Sequence, residues 1–216
     1  MGSLKREQAY QCLRDAITFG KFKPGERVVE KDISEMFHLG RTPLREALRQ
    51  LQMEGFIDVL PNRGAFVRKV SVEDLEHVYD VLAVLEGHAV ESAVGSMDPV
   101  VIRDLQGIEK AMLSAAKEKD FKEWLDRNSQ FHAVFQRVSR NAVLSGSIGN
   151  LRRQTYRYRG LALSIPGHVD EYLSDHKKIL EAAEKGKAEK AGKAMRRHVQ
   201  RAGAVLISFL RDNPWV

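Results

Sequence analysis

Apolar residues in the first 55 positions follow a helical period in three separate stretches. The first covers residues 4–20 and is followed by the turn signal Lys23-Pro24-Gly25. The second is a short helix over residues 30–37, which Gly40 ends. The third, over residues 43–54, has its apolar side chains at i, i+3, i+4 and i+7 spacing, so it should bury one face.

The start of the third helix and the segment after it carry local signals. Thr42 is expected to cap the helix and Pro43 to occupy its first position. Beyond this helix the period changes, because residues 56–60 and 65–70 are β-prone and flank the turn Pro61-Asn62-Arg63-Gly64. We therefore expect a hairpin, and a very short strand at residues 28–29.

From Ser71 onward the chain has only helical signals. Breaks at Asp98-Pro99, Asn141, Pro166-Gly167 and Gly186 divide it into about six helices. Their expected bounds are 72–95, 98–118, 121–139, 141–164, 169–185 and 187–211. Three helices followed by a two-stranded hairpin form the winged helix-turn-helix plan. We therefore predict a mainly α protein with a winged helix-turn-helix at residues 1–70 and an all-helical bundle at residues 71–216.

Composition adds three limits. The net charge is +6, and residues 1–70 carry 13 Lys and Arg against 9 Asp and Glu, so the basic excess lies in the smaller part. This permits a polyanionic partner but does not establish one. The single cysteine, Cys12, cannot form an intrachain disulfide and is expected to be a small core residue. Without a membrane-length apolar run or a secretory signal, a cytoplasmic protein is expected.

The winged helix plan identifies candidate DNA contacts. The second helix of the pair would enter the major groove by its N-terminal end, where Arg41, Thr42 and Arg45 lie. An arginine fork can pair with guanine or with a phosphate. Arg63 and Gly64 would form the tip of the wing. The alternative is a domain without DNA, since an arginine at a helix start before a hairpin occurs in many folds.

Residues 17–67 resemble the N-terminal domain of GntR-family regulators. The resemblance rests on the segments 17–25, 41–48, 54–56 and 61–67 in this order. It implies a double-stranded DNA operator as partner. It also implies DNA contacts by residues that occur here as Lys31, Gly40, Arg41, Thr42, Arg45 and Gly64. Gly40 stands where Ser or Thr is usual in the family, so the hydroxyl at that position is missing.

Three of the seven histidines lie on or beside an apolar stripe of a different helix. They are His132, His176 and His198. Each one taken alone is well explained as a hydrogen-bonded core residue. Together, imidazoles on the inner faces of one bundle can bind a divalent ion such as Zn or Ni.

Residues 72–211 are similar to the helical ligand-binding domain called FCD, of the FadR-type GntR subgroup. The segments that carry this likeness are 85–86, 128–132, 141–144, 176–182 and 195–198. In metal-binding members an Asp and three His hold the ion, which implies Asn128, His132, His176 and His198 here. Asn128 departs from the pattern, and a neutral amide oxygen is a poorer ligand than a carboxylate.

The resemblance also bears on the effector. Many members have an arginine that helps to hold an acidic ligand where this chain has Leu82. The Arg- and Tyr-rich segment 152–159 offers other polar groups, and Arg152, Tyr156 and Arg159 are the candidate effector residues. The alternative for this segment is a solvated helix face.

The sequence thus predicts a regulator that binds a palindromic operator as a homodimer and responds to a small organic acid or related metabolite that coordinates or neighbours the metal. Two alternatives remain at this point. The metal could be purely structural, or the chain could be a metalloenzyme with an accessory nucleic-acid domain. The second would need a positioned general base, and nothing in the sequence brings Glu86 near the histidines.

Overall fold

The computed structural model describes residues 2–61, 63–69, 71–163, 165 and 167–213. Asn62, Val70 and Pro166, expected in a turn, at a strand end and at a helix break, lie outside the described residues. Within the described part no helix is long and apolar enough to cross a membrane.

Three helices and three short strands make up the N-terminal unit. In chain order they are α1 (Gly2–Thr18), β1 (Arg27–Val28), α2 (Glu30–Phe37), α3 (Arg41–Met53), β2 (Ile57–Leu60) and β3 (Gly64–Val67). The strands form one antiparallel sheet in the order β1-β3-β2, with Arg27 opposite Phe66 and Leu60 opposite Gly64. The predicted hairpin is therefore present, and β3 ends at Val67 instead of continuing to residue 70.

Six helices follow, in agreement with the predicted mainly α fold. They are α4 (Val72–Val94), α5 (Pro99–Glu118), α6 (Phe121–Val138), α7 (Ala142–Leu163), α8 (His168–Glu184) and α9 (Ala188–Asp212). The N-terminal ends of α4, α5 and α6 are capped by the side chains of Ser71, Asp98 and Asp120, as the preference of Ser and Asp for this position predicts.

Two separate apolar cores hold the chain together. One is built from buried residues between Ala9 and Val67, and the other from buried residues between Leu75 and Leu210. Tyr156 of α7 packs against the first core, although it belongs to the helical bundle. Helix α7 therefore contacts the N-terminal unit, and so does α6, whose Lys122 pairs with Asp15 of α1.

Two local expectations were wrong. Helix α3 begins at Arg41, one to two residues earlier than expected, and its N-cap is Gly40, which has extended backbone and no side-chain cap. Thr42 therefore lies inside the first turn and does not cap the helix. Cys12 is only partly buried and is not a core residue, and burial together with Asp15 raises the pKa of its thiol.

Candidate functional site

The exposed ends of α2 and α3 form the candidate DNA surface. Lys31, Arg41 and Arg45 line one groove, together with Glu30 and other polar residues of α2. All three cationic side chains are exposed. Arg45 donates from Nε to Glu30 Oε2 at 2.9 Å, so its guanidinium is held across the groove between the two helices. Because this pair is exposed, it can be exchanged for a phosphate or base contact at little cost.

The tip of the wing contributes further groups. Gly64 has a φ of +95°, a conformation that glycine adopts freely, and both Arg63 and Gly64 are exposed. A Cβ added to Gly64 would lie 3.4 Å from Nε of Arg27. Arg27 was missed by the sequence analysis, because nothing in the sequence showed that β1 pairs with β3 beside the wing.

The three candidate metal ligands meet in the interior of the helical bundle. His132 of α6, His176 of α8 and His198 of α9 are all buried. One ring nitrogen of each histidine lies within 4.8 Å of one ring nitrogen of each of the other two. The ring centroids of His176 and His198 are 4.5 Å apart, and those of His132 and His198 are 5.5 Å apart. Three imidazoles that converge in this way match the donor set that Zn and Ni prefer.

Glu86 of α4 orients one of these ligands. Its side chain has no exposed area, and its Oε2 lies 3.2 Å from Nδ1 of His132. A carboxylate can only accept, so His132 donates from Nδ1 and keeps the lone pair of Nε2 for the shared site. Burial alone would raise the pKa of Glu86, but Arg152 and His132 lower it to about 2. Burial and Arg152 lower the pKa of His132 to about 3, so the ring is neutral.

Asp175 occupies a similar position beside His198. Its Oδ2 lies 3.8 Å from Nδ1 of His198, which is longer than a hydrogen bond, and 3.2 Å from a guanidinium nitrogen of Arg201. Asp175 was not among the residues predicted from the sequence, whereas Glu86 was considered there as a general base but was not placed near the histidines. Asp175 directly precedes His176 in the chain, and this adjacency was the only signal that could have identified it.

Several polar atoms in this cluster are buried without a hydrogen-bond partner. They include both ring nitrogens of His176, Nδ1 of His198 and Oδ1 of Asn128. Burying a polar group without a partner costs about 1–3 kcal/mol, so these orphaned atoms call for a ligand. Asn128 lies one helical turn before His132 on α6 and lines the same cavity. The residues present therefore fit a divalent metal ion, with an amide oxygen in place of the usual carboxylate.

A cavity opens beside the histidines. It holds about 50 Å³ of free space, and its wall includes Asn128, His132, His198 and Leu82. Arg152 and Arg159 of α7 also line it, and Arg152 Nε donates to Glu86. The family arginine replaced here by Leu82 thus has two counterparts that reach the same cavity from a different helix.

The candidate effector residues separate into two groups. Arg152 and Arg159 line the cavity, whereas Tyr156 does not line it, and its ring is 5.9 Å from that of Phe56. Segment 152–159 is not a uniformly solvated face, because Thr155 and Tyr158 are buried and Arg152 and Arg159 are partly buried.

The chemistry of Glu86 bears on the metalloenzyme alternative. A general base works best when its pKa lies near the operating pH. Glu86 lies next to the histidines, which nothing in the sequence indicated, but its two oxygens are bound to Arg152 and His132 and its pKa is about 2. It is therefore a positioning residue for His132 and a poor proton acceptor.

Comparison with known proteins identifies the class. A winged helix-turn-helix joined to a helical ligand-binding bundle defines a transcription regulator that binds DNA. Residues 5–67 match the family described as bacterial regulatory proteins, gntR family, and residues 77–201 match the FCD domain. The chain belongs to the GntR family and carries an FCD domain.

Individual relatives agree with this assignment. The Nta operon transcriptional regulator of Aminobacter aminovorans is 30% identical over 168 residues, which cover 72% of this chain and 77% of that protein. The HTH-type transcriptional repressor RspR of Escherichia coli is 23% identical over 96% of this chain and 91% of that protein. The structure of E. coli McbR/YncC shares the fold with a TM-score of 0.80 at 22% identity, covering 97% of this chain and 99% of that one.

Proposed function

We propose that this regulator is controlled by a small carboxylate that binds in the cavity beside the three histidines, and that it acts as a repressor. The observation that carries the proposal is the convergence of the buried imidazoles of His132, His176 and His198, in which both ring nitrogens of His176 and Nδ1 of His198 have no hydrogen-bond partner. The name of the E. coli relative, a transcriptional repressor, supports the direction of control.

The metal part of the proposal assigns four residues. His132, His176 and His198 would hold a divalent ion through ring nitrogens, and Asn128 would add its side-chain oxygen. The bound ion would supply a Lewis-acidic position for a carboxylate oxygen of the effector. Glu86 would keep His132 in the tautomer that leaves Nε2 free, and burial would keep His176 neutral.

The effector part assigns the two arginines of the cavity. Arg159 is half-buried, and among the described residues no carboxylate forms an ion pair with it. Burial and the neighbouring Arg152 lower its pKa to about 10, which indicates a cation short of negative partners. A carboxylate ligand would supply the missing negative charge, and its two oxygens can pair with the planar guanidinium group of arginine. A small organic acid is therefore the proposed effector class.

Chelation tests whether metal and effector share one site. Operator DNA would first be selected from a random-sequence library with the full chain, and a screen of small carboxylates would find ligands that weaken binding. We expect removal of the metal with a chelator to lower the potency of such a ligand at least tenfold, while re-addition of Zn or Ni restores it. If chelation lowers only the melting temperature and leaves the ligand response unchanged, the metal is purely structural and the proposal is wrong.

The proposed DNA contacts are Lys31, Gly40, Arg41, Thr42, Arg45, Arg63 and Gly64. For Arg45→Ala we expect operator binding to weaken by about 1–3 kcal/mol, because a base contact of this kind is worth that much. Fluorescence anisotropy with the selected operator measures it. Arg103→Ala, an exposed arginine of α5 in the other unit, is the matched control and should bind as the parent does. Equal affinity for both variants would contradict the assignment of Arg45.

A homodimer is proposed as the DNA-binding form, since two-fold symmetry of the protein matches a palindromic operator. One helix offers a suitable surface: α4 exposes Val81 and Val84, at 51% and 45% of their areas, on the same face. We expect sedimentation velocity to give twice the chain mass of 24.5 kDa. Val84→Asp should shift the protein toward monomer, whereas Val100→Asp, on the exposed start of α5, should not. A parent protein that sediments as a monomer when bound to its operator would rule the dimer out.

A further inference from the structure

A second cleft lies between the N-terminal unit and the helical bundle, and it shares Arg152 and Arg159 with the lining of the cavity beside the histidines. It holds about 300 Å³ of free space and is partly open to solvent. Its lining comes from α1, from the start of the hairpin, and from α6 and α7. The residues that line it include Tyr10, Arg14, Glu54, Arg153, Tyr156 and Arg159. This volume is at the lower end of the roughly 300–1,000 Å³ found for small-molecule sites.

The cleft has an excess of positive charge. Four arginines line it, namely Arg14, Arg152, Arg153 and Arg159, against the single carboxylate of Glu54. Both oxygens of Glu54 are already engaged, one by the hydroxyl of Tyr10 at 2.6 Å and the other by Gln50 at 3.1 Å. Arg152 is paired with Glu86. The charges of the other three arginines are not balanced by any carboxylate that lines the cleft.

Arg14 of α1 gives the most specific indication of a ligand. Its guanidinium lies over the rings of Tyr10 and Tyr156, at 5.6 Å and 5.0 Å from their centroids, so it is held in place by aromatic faces. Its Nε is buried and has no hydrogen-bond partner, and the nearest carboxylate, that of Asp15, is 3.8 Å from a terminal nitrogen. A preorganised guanidinium with a free donor is a ready anion contact.

The arrangement of these cations distinguishes between anion types. Arg14 approaches from α1, whereas Arg153 and Arg159 approach from α7. One planar carboxylate pairs with one guanidinium fork, but a phosphoryl group presents three acceptor oxygens in different directions. We propose that this interdomain cleft binds the phosphoryl dianion of a small ligand, either a phosphate monoester or inorganic phosphate, through Arg14, Arg153 and Arg159.

Such a ligand would contact both units at once. Tyr156 packs against Phe56, and a Cβ added to Gly160 would come within 2.8 Å of the backbone oxygen of Thr18, so α7 lies tightly against α1. A phosphoryl group shared by Arg14 and Arg153 adds a further link across this contact. It therefore favours the docked arrangement of the two units, and any effect on DNA affinity follows from that preference.

Isothermal titration of the full chain tests the site, with inorganic phosphate, glucose 6-phosphate and glucose as probes. We expect phosphate-dependent heat with a Kd on the order of 0.1–1 mM, and no heat from glucose. Arg14→Gln and Arg153→Gln should each weaken binding about tenfold, whereas Arg197→Gln, an exposed arginine of α9, should leave it within about twofold. Tighter binding of glucose 6-phosphate than of phosphate assigns a phosphate monoester, and equal or weaker binding assigns inorganic phosphate.

Phosphate binding in this cleft must also be distinguished from phosphate binding in the cavity beside the histidines, because Arg159 lines both. Phosphate binding should survive chelation and the His176→Ala change, since neither touches Arg14 or Arg153. Loss of binding under either condition would move the phosphate to the histidine cavity and overturn the proposal. Undiminished phosphate binding by the Arg153→Gln variant would also overturn the proposal, and this exposed side chain can be changed without risk to the fold. A parent protein that does not bind phosphate would overturn it as well.

Discussion

Replacing His176 with alanine should leave the purified, untagged protein without stoichiometric divalent metal. His176 is fully buried, and both of its ring nitrogens lack a hydrogen-bond partner, so one of them is available to a metal ion. Its removal reduces three convergent imidazoles to two. The loss of affinity should exceed the roughly 10–100-fold that follows from changes to groups that only orient a ligand. Elemental analysis of protein expressed with added Zn or Ni measures it.

The matched control for this change is His88→Ala. His88 is exposed on α4, with its Nε2 3.5 Å from the hydroxyl of Ser92, so its loss should not alter the metal content. Because His176→Ala also leaves a small cavity, circular dichroism and binding to the selected operator should show that the variant is folded. A folded variant that still holds one metal per chain would contradict the three-histidine site.

Much of the fold follows from local pattern. The apolar periodicity predicted α2 over the same residues that the structure gives, and it predicted the six helices of the bundle within a few residues. Caps and turns were harder to predict. Thr42 is a strong N-cap residue, yet α3 is capped by Gly40, because the chain enters the helix with extended backbone two residues earlier. The pairing of β1 with β3 is non-local, and two residues carry too little pattern to predict it.

The candidate site, like the fold, could be predicted from the sequence only in part. The sequence placed three histidines on apolar stripes of three helices, and this predicted that they face the interior. They are His132, His176 and His198. Their partner Glu86 did not stand out, since it lies 46 residues before His132 and meets it only through the packing of α4 against α6. Periodicity places a residue on a face of its own helix, but the contact between faces depends on how the helices pack.

Replacing Glu86 with glutamine should both destabilise the protein and weaken its hold on metal. Glu86 has no exposed area and accepts hydrogen bonds from Arg152 and His132. Losing its charge leaves the largely buried guanidinium of Arg152 without a counter-ion, which costs about 3–5 kcal/mol in comparable buried pairs. The amide can also present its NH₂ group to His132 and select the other tautomer, so metal affinity should fall roughly 10–100-fold. Urea unfolding with chelator present and competition with a coloured chelator measure the two effects separately.

A double replacement separates the structural role of Glu86 from its orienting role. Because a buried ion pair can be exchanged for apolar side chains with little net loss, Glu86→Leu combined with Arg152→Leu should recover most of the free energy of unfolding. It should not recover metal affinity, since His132 still lacks the acceptor for its Nδ1. Glu91→Gln, an exposed change on the same helix, should alter neither quantity. If the double variant regains both stability and full metal affinity, Glu86 has only a structural role, and His132 is oriented by the packing of α6 alone.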